Sequence, residues 1–233
     1  MKKKIRCDNM LSDVINMKKT YLVIGMDTFG IALCDELTQL GADVIALDKK
    51  EEAINRVTGI VENAVIGDST DINVLREIGA QHADHVIVSI PGNVENSILT
   101  TMILSDMKVP KITVKVDNDY HAKVAEKVGA TEVVSSEKSA GRRLARRLLS
   151  DNVLDYYNIT DDYGVYEIFI GEDFKTVKIV DLDIRNRFDV NILLIKRGKN
   201  VILPKADSEL RSKDIVIVLG KHDRISKFQS ILH

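Results

Sequence analysis

Apolar and polar positions divide the chain into two stretches of different rhythm. From residue 18 to residue 136, short β-prone runs alternate with longer stretches whose apolar positions recur at helical spacing. The strand-like runs are Tyr21–Ile24, Val44–Leu47, Asn63–Gly67, His85–Ile90, Lys111–Val116 and Glu132–Ser135. A helix is predicted through Ile31, Leu33, Leu37 and Leu40, ending at Gly41, and further helices over Glu51–Thr58, Asp71–Ile78, from Asn93 to Met107, and from Asp119 through Val128. Such alternation specifies a Rossmann-like, doubly wound α/β domain with a parallel sheet. His85–Ile90 is nearly all apolar, as expected of a parallel strand covered on both faces.

The rhythm changes near residues 150–158. Val165–Ile170, Val190–Lys196, Asn200–Leu203 and Ile215–Leu219 are β runs separated by short turns, and helices are expected at Asp181–Asn186 and Asp223–Leu232. A turn at Gly198 joins two of these strands as a hairpin. Residues 158–233 therefore read as a smaller α+β domain, near the lower size limit for an independent core, with β edges expected to be covered by a partner copy. Between the domains, residues 137–157 read as a connector. Its helix, Glu137–Asp151, sets Ala140, Leu144, Leu148, Ala145 and Leu149 against Arg142, Arg143, Arg146 and Arg147. An RNA- or membrane-surface helix and a solvated helix are alternatives. Without aromatic anchors the favoured reading is a connector whose stripe packs on a neighbouring subunit.

Composition narrows the function classes. A net charge of −2 over 233 residues gives no overall field for nucleic acid. No apolar run approaches the length of a membrane span. Cys7 and Cys34 are too few for a disulfide framework or metal site, which suits a reducing cytoplasm, and Cys34 reads as a small core filler. Residues 1–17 lack a secretory apolar region and read as a basic tail, or as sequence upstream of a start near Met17.

The candidate chemistry lies in the first strand–turn–helix–strand unit. Gly25-Met26-Asp27-Thr28-Phe29-Gly30 follows a strand and opens a helix, and Asp48 ends the next strand. This is the context of a dinucleotide fingerprint, in which a helix N-terminus attracts phosphate and the acid binds ribose hydroxyls. The middle glycine place is taken by Asp27, whose carboxylate opposes close approach of a pyrophosphate or bridges to it through a cation. A tight turn with no ligand is the plainer alternative. Gly67-Asp68-Ser69-Thr70-Asp71 ends the third strand, where one side chain caps the next helix while Asp68 and Ser69 face the crevice. The crevice is expected where Gly25 meets the end of His85–Ile90, with Lys49 and Ile90 in its lining. Of the five histidines, only His121 falls near that crevice, and no orienting partner marks any of them as a base. No Walker lysine follows the glycines, so phosphoryl transfer lacks its usual tools. A nucleotide site without a reaction partner suggests a sensor.

These residues carry a resemblance. Val23-Ile24-Gly25 with Phe29-Gly30, Ala64–Asp71, His85–Val88, Ser97–Thr101, Asn118–His121, Lys127–Ala130, Asn152–Tyr156, Leu182–Arg185 and Ile195–Lys199 together resemble the regulatory subunits of Ktr/Trk-type potassium uptake systems. These are built from an RCK N-terminal and an RCK C-terminal domain. The resemblance runs from Lys18 to the end of the chain. It implies a non-enzymatic cytoplasmic protein, a homodimer assembling into an octameric ring that docks on a membrane potassium channel subunit. It implies ATP, ADP or NAD(H) at Gly25, Phe29, Gly30, Asp48, Asp68, Ser69 and Thr70. A glutamate matching Glu126 holds a cation, magnesium or calcium, near the terminal phosphates. Glu137–Asp151 corresponds to a swapped connector. Cyclic di-AMP is implied at Ile184, Arg185, Asn191, Ile192 and Pro204, although an ordinary dimer core fits the same residues. The family turn reads Gly-Leu-Gly-Arg-Phe-Gly, so Asp27 and Thr28 are departures that remove a glycine and a phosphate-binding arginine. Two other readings stay open: an NAD-dependent oxidoreductase, and a cyclic-dinucleotide receptor whose nucleotide crevice has decayed.

Overall fold

A computed structural model describes residues 19–148 and 152–232, so the expected basic tail and residues 149–151 of the connector lie outside the described residues. The chain forms two compact units, Met1–Glu137 and Lys138–His233.

The first unit runs β1 (Thr20–Ile24), α1 (Thr28–Gln39), β2 (Asp43–Asp48), α2 (Glu51–Asn55), β3 (Asn63–Ile66), α3 (Ile72–Glu77), β4 (His85–Val88), α4 (Val94–Asp106), β5 (Ile112–Lys115), α5 (Asp119–Lys127) and β6 (Glu132–Val134). A single 3-10 turn, Ala80–His82, precedes β4. All six strands pair in parallel in the order β3-β2-β1-β4-β5-β6. The order reverses between β1 and β4, so their carboxyl ends diverge and leave a crevice. Alternation along β1 explains the two-sided burial: Leu22 and Ile24 enter one apolar cluster, while Val23 enters another with Val44, Ala46 and Ile87. Cys34 is buried in that second cluster, as its position in the helix predicts, and burial pushes its thiol up to about 11. It is an inert core side chain.

Two glycines fix the first turn. Gly25 has φ +96°, and a Cβ there would lie 1.8 Å from the Ser89 carbonyl oxygen. A Cβ on Gly30 would lie 2.0 Å from the Gly25 carbonyl oxygen. Both glycines are therefore required by backbone packing before any ligand is considered.

The second unit is built on a five-stranded antiparallel sheet, β11-β10-β13-β8-β7, with a separate β12–β9 pair. The strands are β7 (Val153–Asn158), β8 (Tyr163–Phe169), β9 (Val177–Lys178), β10 (Val190–Arg197), β11 (Asn200–Ile202), β12 (Glu209–Leu210) and β13 (Ile215–Lys221). Gly198 turns β10 into β11, with Arg197 opposite Asn200, as the hairpin signal predicts. The single helix expected at Asp181–Asn186 is two: α7 (Ile179–Leu182) and α8 (Ile184–Phe188), divided by Asp183 at φ +45°. Phe188 of α8 meets Phe228 of α9 (His222–Gln229) edge-to-face at 5.8 Å, closing the core beneath the sheet. β7, β9 and β12 lie outside the β runs expected from the sequence.

The connecting helix, α6, spans Ser136–Leu148. Its apolar stripe is open to solvent in a single chain: Leu144 is 46% exposed and Leu148 74%. Among the described residues no helix is long and apolar enough to cross a membrane.

Candidate functional site

The crevice between β1 and β4 is a cavity of about 440 Å³. Of the residues expected at the nucleotide, Gly25, Asp27, Asp48, Lys49, Asp68, Ser69 and Ile90 line it. Thr28, Phe29, Gly30, Thr70 and Glu126 do not. Thr28 is exposed, Gly30 is buried under the turn, and Glu126 lies on the exposed side of α5. Phe29 packs beside the core, with the Lys115 ammonium 5.6 Å from its ring centre. The wall also carries polar side chains that the sequence does not mark: Lys50, Arg56, Ser89, Asn93 and Asn96. Arg56 leaves no local pattern, since it ends a short helix whose other members serve packing.

Asp27 is the N-cap of α1. Its Oδ1 accepts the Gly30 amide at 2.9 Å and the Ser89 hydroxyl at 2.8 Å. Its Oδ2 accepts Lys115 Nζ at 2.8 Å. Lys115 stands at the end of β5 with 7% of its side chain exposed, and it also reaches Glu137 Oε1 at 2.9 Å. Burial alone would lower the Lys115 pKa, but the hydrogen bonds to Asp27 and Glu137 outweigh it and hold the ammonium above its ordinary value. Lys115 in turn draws the Glu137 carboxyl down to about 2. The positive partner of Asp27 is thus supplied from within the chain.

Asp48 closes the same turn from below: Oδ2 accepts the Met26 amide at 2.7 Å and Oδ1 the Lys50 amide at 2.9 Å. A carboxylate has acceptor sites beyond these two, so Asp48 keeps capacity for ribose hydroxyls. Asp68 accepts the amide and hydroxyl of Thr70, at 2.9 and 2.7 Å, and both hold its carboxyl below the usual range. Such an acid is a weak base. The helix cap expected from this cluster is Asp71, which accepts the Asn73 amide at 2.8 Å. The buried Ser69 hydroxyl pairs with Thr100 at 2.8 Å.

His121 is a core residue and lines no part of the cavity. It is 2% exposed, its Nδ1 accepts the Asp117 amide at 3.3 Å, and Nε2 faces the Ser97 hydroxyl at 3.1 Å. Burial lowers its pKa, so the ring is neutral in this arrangement. The cavity lining contains no His, Cys or Tyr. Among the described residues no three His, Cys, Asp or Glu side chains converge to hold a metal ion, and Glu126 joins no such group.

In the second unit the five residues expected at a cyclic dinucleotide are dispersed in burial. Ile184 is 4% exposed and belongs to the core, so its side chain is a packing element of the single chain rather than an open wall. Arg185 and Asn191 are exposed, while Ile192 and Pro204 are half-buried, Ile192 against the core. A second cavity of about 220 Å³ is lined by residues of 186–189 and 221–224 and contains none of the five.

Comparison with known proteins gives this geometry a family. The TrkA-N domain model matches residues 21–136 and the TrkA-C domain model residues 167–233. Ktr system potassium uptake protein C of Bacillus subtilis (strain 168) is 43% identical over 219 residues, covering 93% of this chain and 99% of the relative. The chain belongs to the Ktr potassium uptake protein family. Ktr system potassium uptake protein A of the same organism is 34% identical, over 91% of this chain and 96% of its own length. Among solved structures, the GsuK channel superposes with a TM-score of 0.68 at 16% identity, over 93% of this chain. The GsuK channel bound to NAD gives 0.65 at 15%, over 94% of this chain. The chain spans 40% of those channel chains, and the likeness is one of fold.

Proposed function

We propose that this Ktr family member is a non-enzymatic regulatory subunit of a potassium uptake system, and that an adenine nucleotide in the first domain governs its state. The observation that carries the nucleotide reading is the cavity at the reversal of strand order, with Asp48 at the end of β2 and Asp68 and Ser69 beside it, just past the end of β3. Ligands of open parallel sheets bind in such crevices. The family relationship supports the potassium assignment, because both Bacillus subtilis relatives bear potassium uptake in their names over nearly their whole length. ATP, ADP and NAD(H) share the adenosine that Asp48 would hold by its ribose hydroxyls.

The lining supports sensing over catalysis. It offers three low-lying or engaged carboxylates, Asp27, Asp48 and Asp68, and no group placed to exchange a hydride or proton with a second substrate. In this reading the nucleotide stabilises one arrangement of a cytoplasmic homodimer within an octameric ring on a membrane channel subunit. The open stripe of α6 is the surface that a swapped connector would bury. Cyclic di-AMP remains the candidate second ligand, with exposed Arg185 and Asn191 for phosphate and base, and it would bind between two copies.

The test is titration calorimetry of the purified protein with ATP, ADP, NADH and cyclic di-AMP, each with and without magnesium. It is paired with potassium uptake by cells carrying the chain and a Ktr-type membrane subunit. Submillimolar binding of an adenine nucleotide that also alters uptake supports the proposal. Binding of cyclic di-AMP alone would move control to the second domain, and turnover of NADH by a carbonyl substrate would overturn the regulatory reading.

A further inference from the structure

We propose that Arg56 grips the diphosphate of the bound nucleotide, taking over the task that a helix N-terminus performs in an open fingerprint turn. The inference rests on the reading that the first-domain cavity holds an adenine nucleotide.

Three observations point to Arg56. First, the N-terminus of α1 is already occupied: Asp27 accepts the Gly30 amide at 2.9 Å and places a carboxylate where a phosphate would draw on the helix dipole. Lys115 pairs with that carboxylate at 2.8 Å, so the turn carries an internal ion pair and its Gly30 amide is already taken. Second, Arg56 Nη2 donates to the Met26 carbonyl at 2.9 Å, which anchors the guanidinium against the same turn from the α2 side. A guanidinium has five N–H donors in a rigid plane, and one anchor leaves a fork that matches phosphate oxygens. Third, the cavity wall carries Lys49, Lys50 and Arg56 within one short segment. Three carboxylates line the same cavity, Asp27, Asp48 and Asp68, and of these Asp27 is paired with Lys115, itself shared with Glu137. The positive side chains of the crevice are thus gathered on its Lys49–Arg56 side. Arg56 is the one tied to the turn over which the diphosphate of a nucleotide would lie.

The ligand class that follows is a nucleoside diphosphate or larger, with little affinity for the bare nucleoside. The experiment is equilibrium binding of adenosine and ADP to the full chain and to its Arg56→Gln and Arg56→Lys variants, at low and moderate salt. Arg56 is exposed, and a circular dichroism melt verifies that each variant is folded. The expected result is a loss of about 10- to 100-fold in ADP affinity for Arg56→Gln, with adenosine unchanged. Arg56→Lys should fall between, since it keeps charge and loses the fork. Equal ADP affinity in wild type and Arg56→Gln would overturn the inference. So would a matching loss for adenosine, which would make Arg56 a support of the turn. A wild-type chain that binds neither ligand overturns the nucleotide reading itself, and is told apart from the other failures by needing no variant.

Discussion

Lys115 Nζ lies 2.8 Å from Asp27 Oδ2 across 88 residues of sequence. The same ammonium holds Glu137 in the first turn of α6, so one lysine ties the cap of the turn helix to the start of the connector. The lost fingerprint glycine is thereby explained as a substitution the fold has absorbed: the new carboxylate caps α1, and β5 supplies its counter-charge.

Removing that counter-charge should cost more than removing its exposed partner. Lys115→Met leaves Asp27, 16% exposed, without a cation, and stability should fall by roughly 2–3 kcal/mol. Glu137, 69% exposed, is worth less than about 1 kcal/mol. Urea denaturation of the two variants, Lys115→Met and Glu137→Gln, measures the difference, and equal losses would refute the ordering.

Asp27→Gly should raise affinity for ATP. The substitution frees the Gly30 amide and removes a carboxylate from the cavity lining, while losing the cap itself costs only a few tenths of a kcal/mol, against ~1 kcal/mol for Asp27→Ala. Unchanged ATP affinity in a folded Asp27→Gly protein would mean that the phosphates lie elsewhere.

The Lys115–Glu137 contact sets an acid limit. Glu137 is lowered from 4.5 to about 2 by its hydrogen bond to Lys115, so its contribution is present above pH 4.5 and is lost as pH falls from 4.5 toward 2. The stability gap between wild type and Glu137→Gln should be constant above pH 4.5 and close below it. Its exposure keeps the gap small, and a gap that widens on acidification would contradict the sign.

The glycines should separate by environment. Gly25→Ala and Gly30→Ala place a methyl 1.8 Å and 2.0 Å from carbonyl oxygens, and neither variant should fold normally. Gly41→Ala meets nothing within 4 Å and bears only the strain of φ +84°, about 1 kcal/mol. Thermal melts distinguish the two classes.

In the second domain, Asp214 is 1% exposed and holds Arg197 through Nε and Nη2, both at 2.8 Å, with the Arg211 amide at 2.9 Å. The hydrogen bond from Arg197 to Asp214 raises the guanidinium pKa against the effect of burial. Asp214→Ala should cost roughly 3–5 kcal/mol, and Arg197→Lys should not rescue the bidentate geometry. Denaturation midpoints test both.

Strands such as Tyr21–Ile24 and His85–Ile90 were legible because a parallel sheet needs continuous apolar runs, and their order placed the crevice. Asp48, Asp68 and Gly25 were legible because strand ends and tight turns mark themselves locally. Lys115 was not: inside KITVKV it reads as the polar face of a strand, and only the folded chain brings Asp27 to it. Arg56 was hidden for the same reason. β7 leaves little trace in the sequence because Asp155 and Asn158 interrupt its apolar alternation and its register with β8 shifts between Val153 and Asp155. β9 and β12, two residues each, are too short to leave a pattern.

The most direct measurement is hydrogen exchange with mass spectrometry, with and without saturating ADP. Nucleotide in the first-domain cavity predicts slowed exchange in peptides covering residues 25–30, 48–56, 67–70 and 89–96, the segments that form its wall and turn. Protection confined to residues 179–205, with those four segments unchanged, would contradict it.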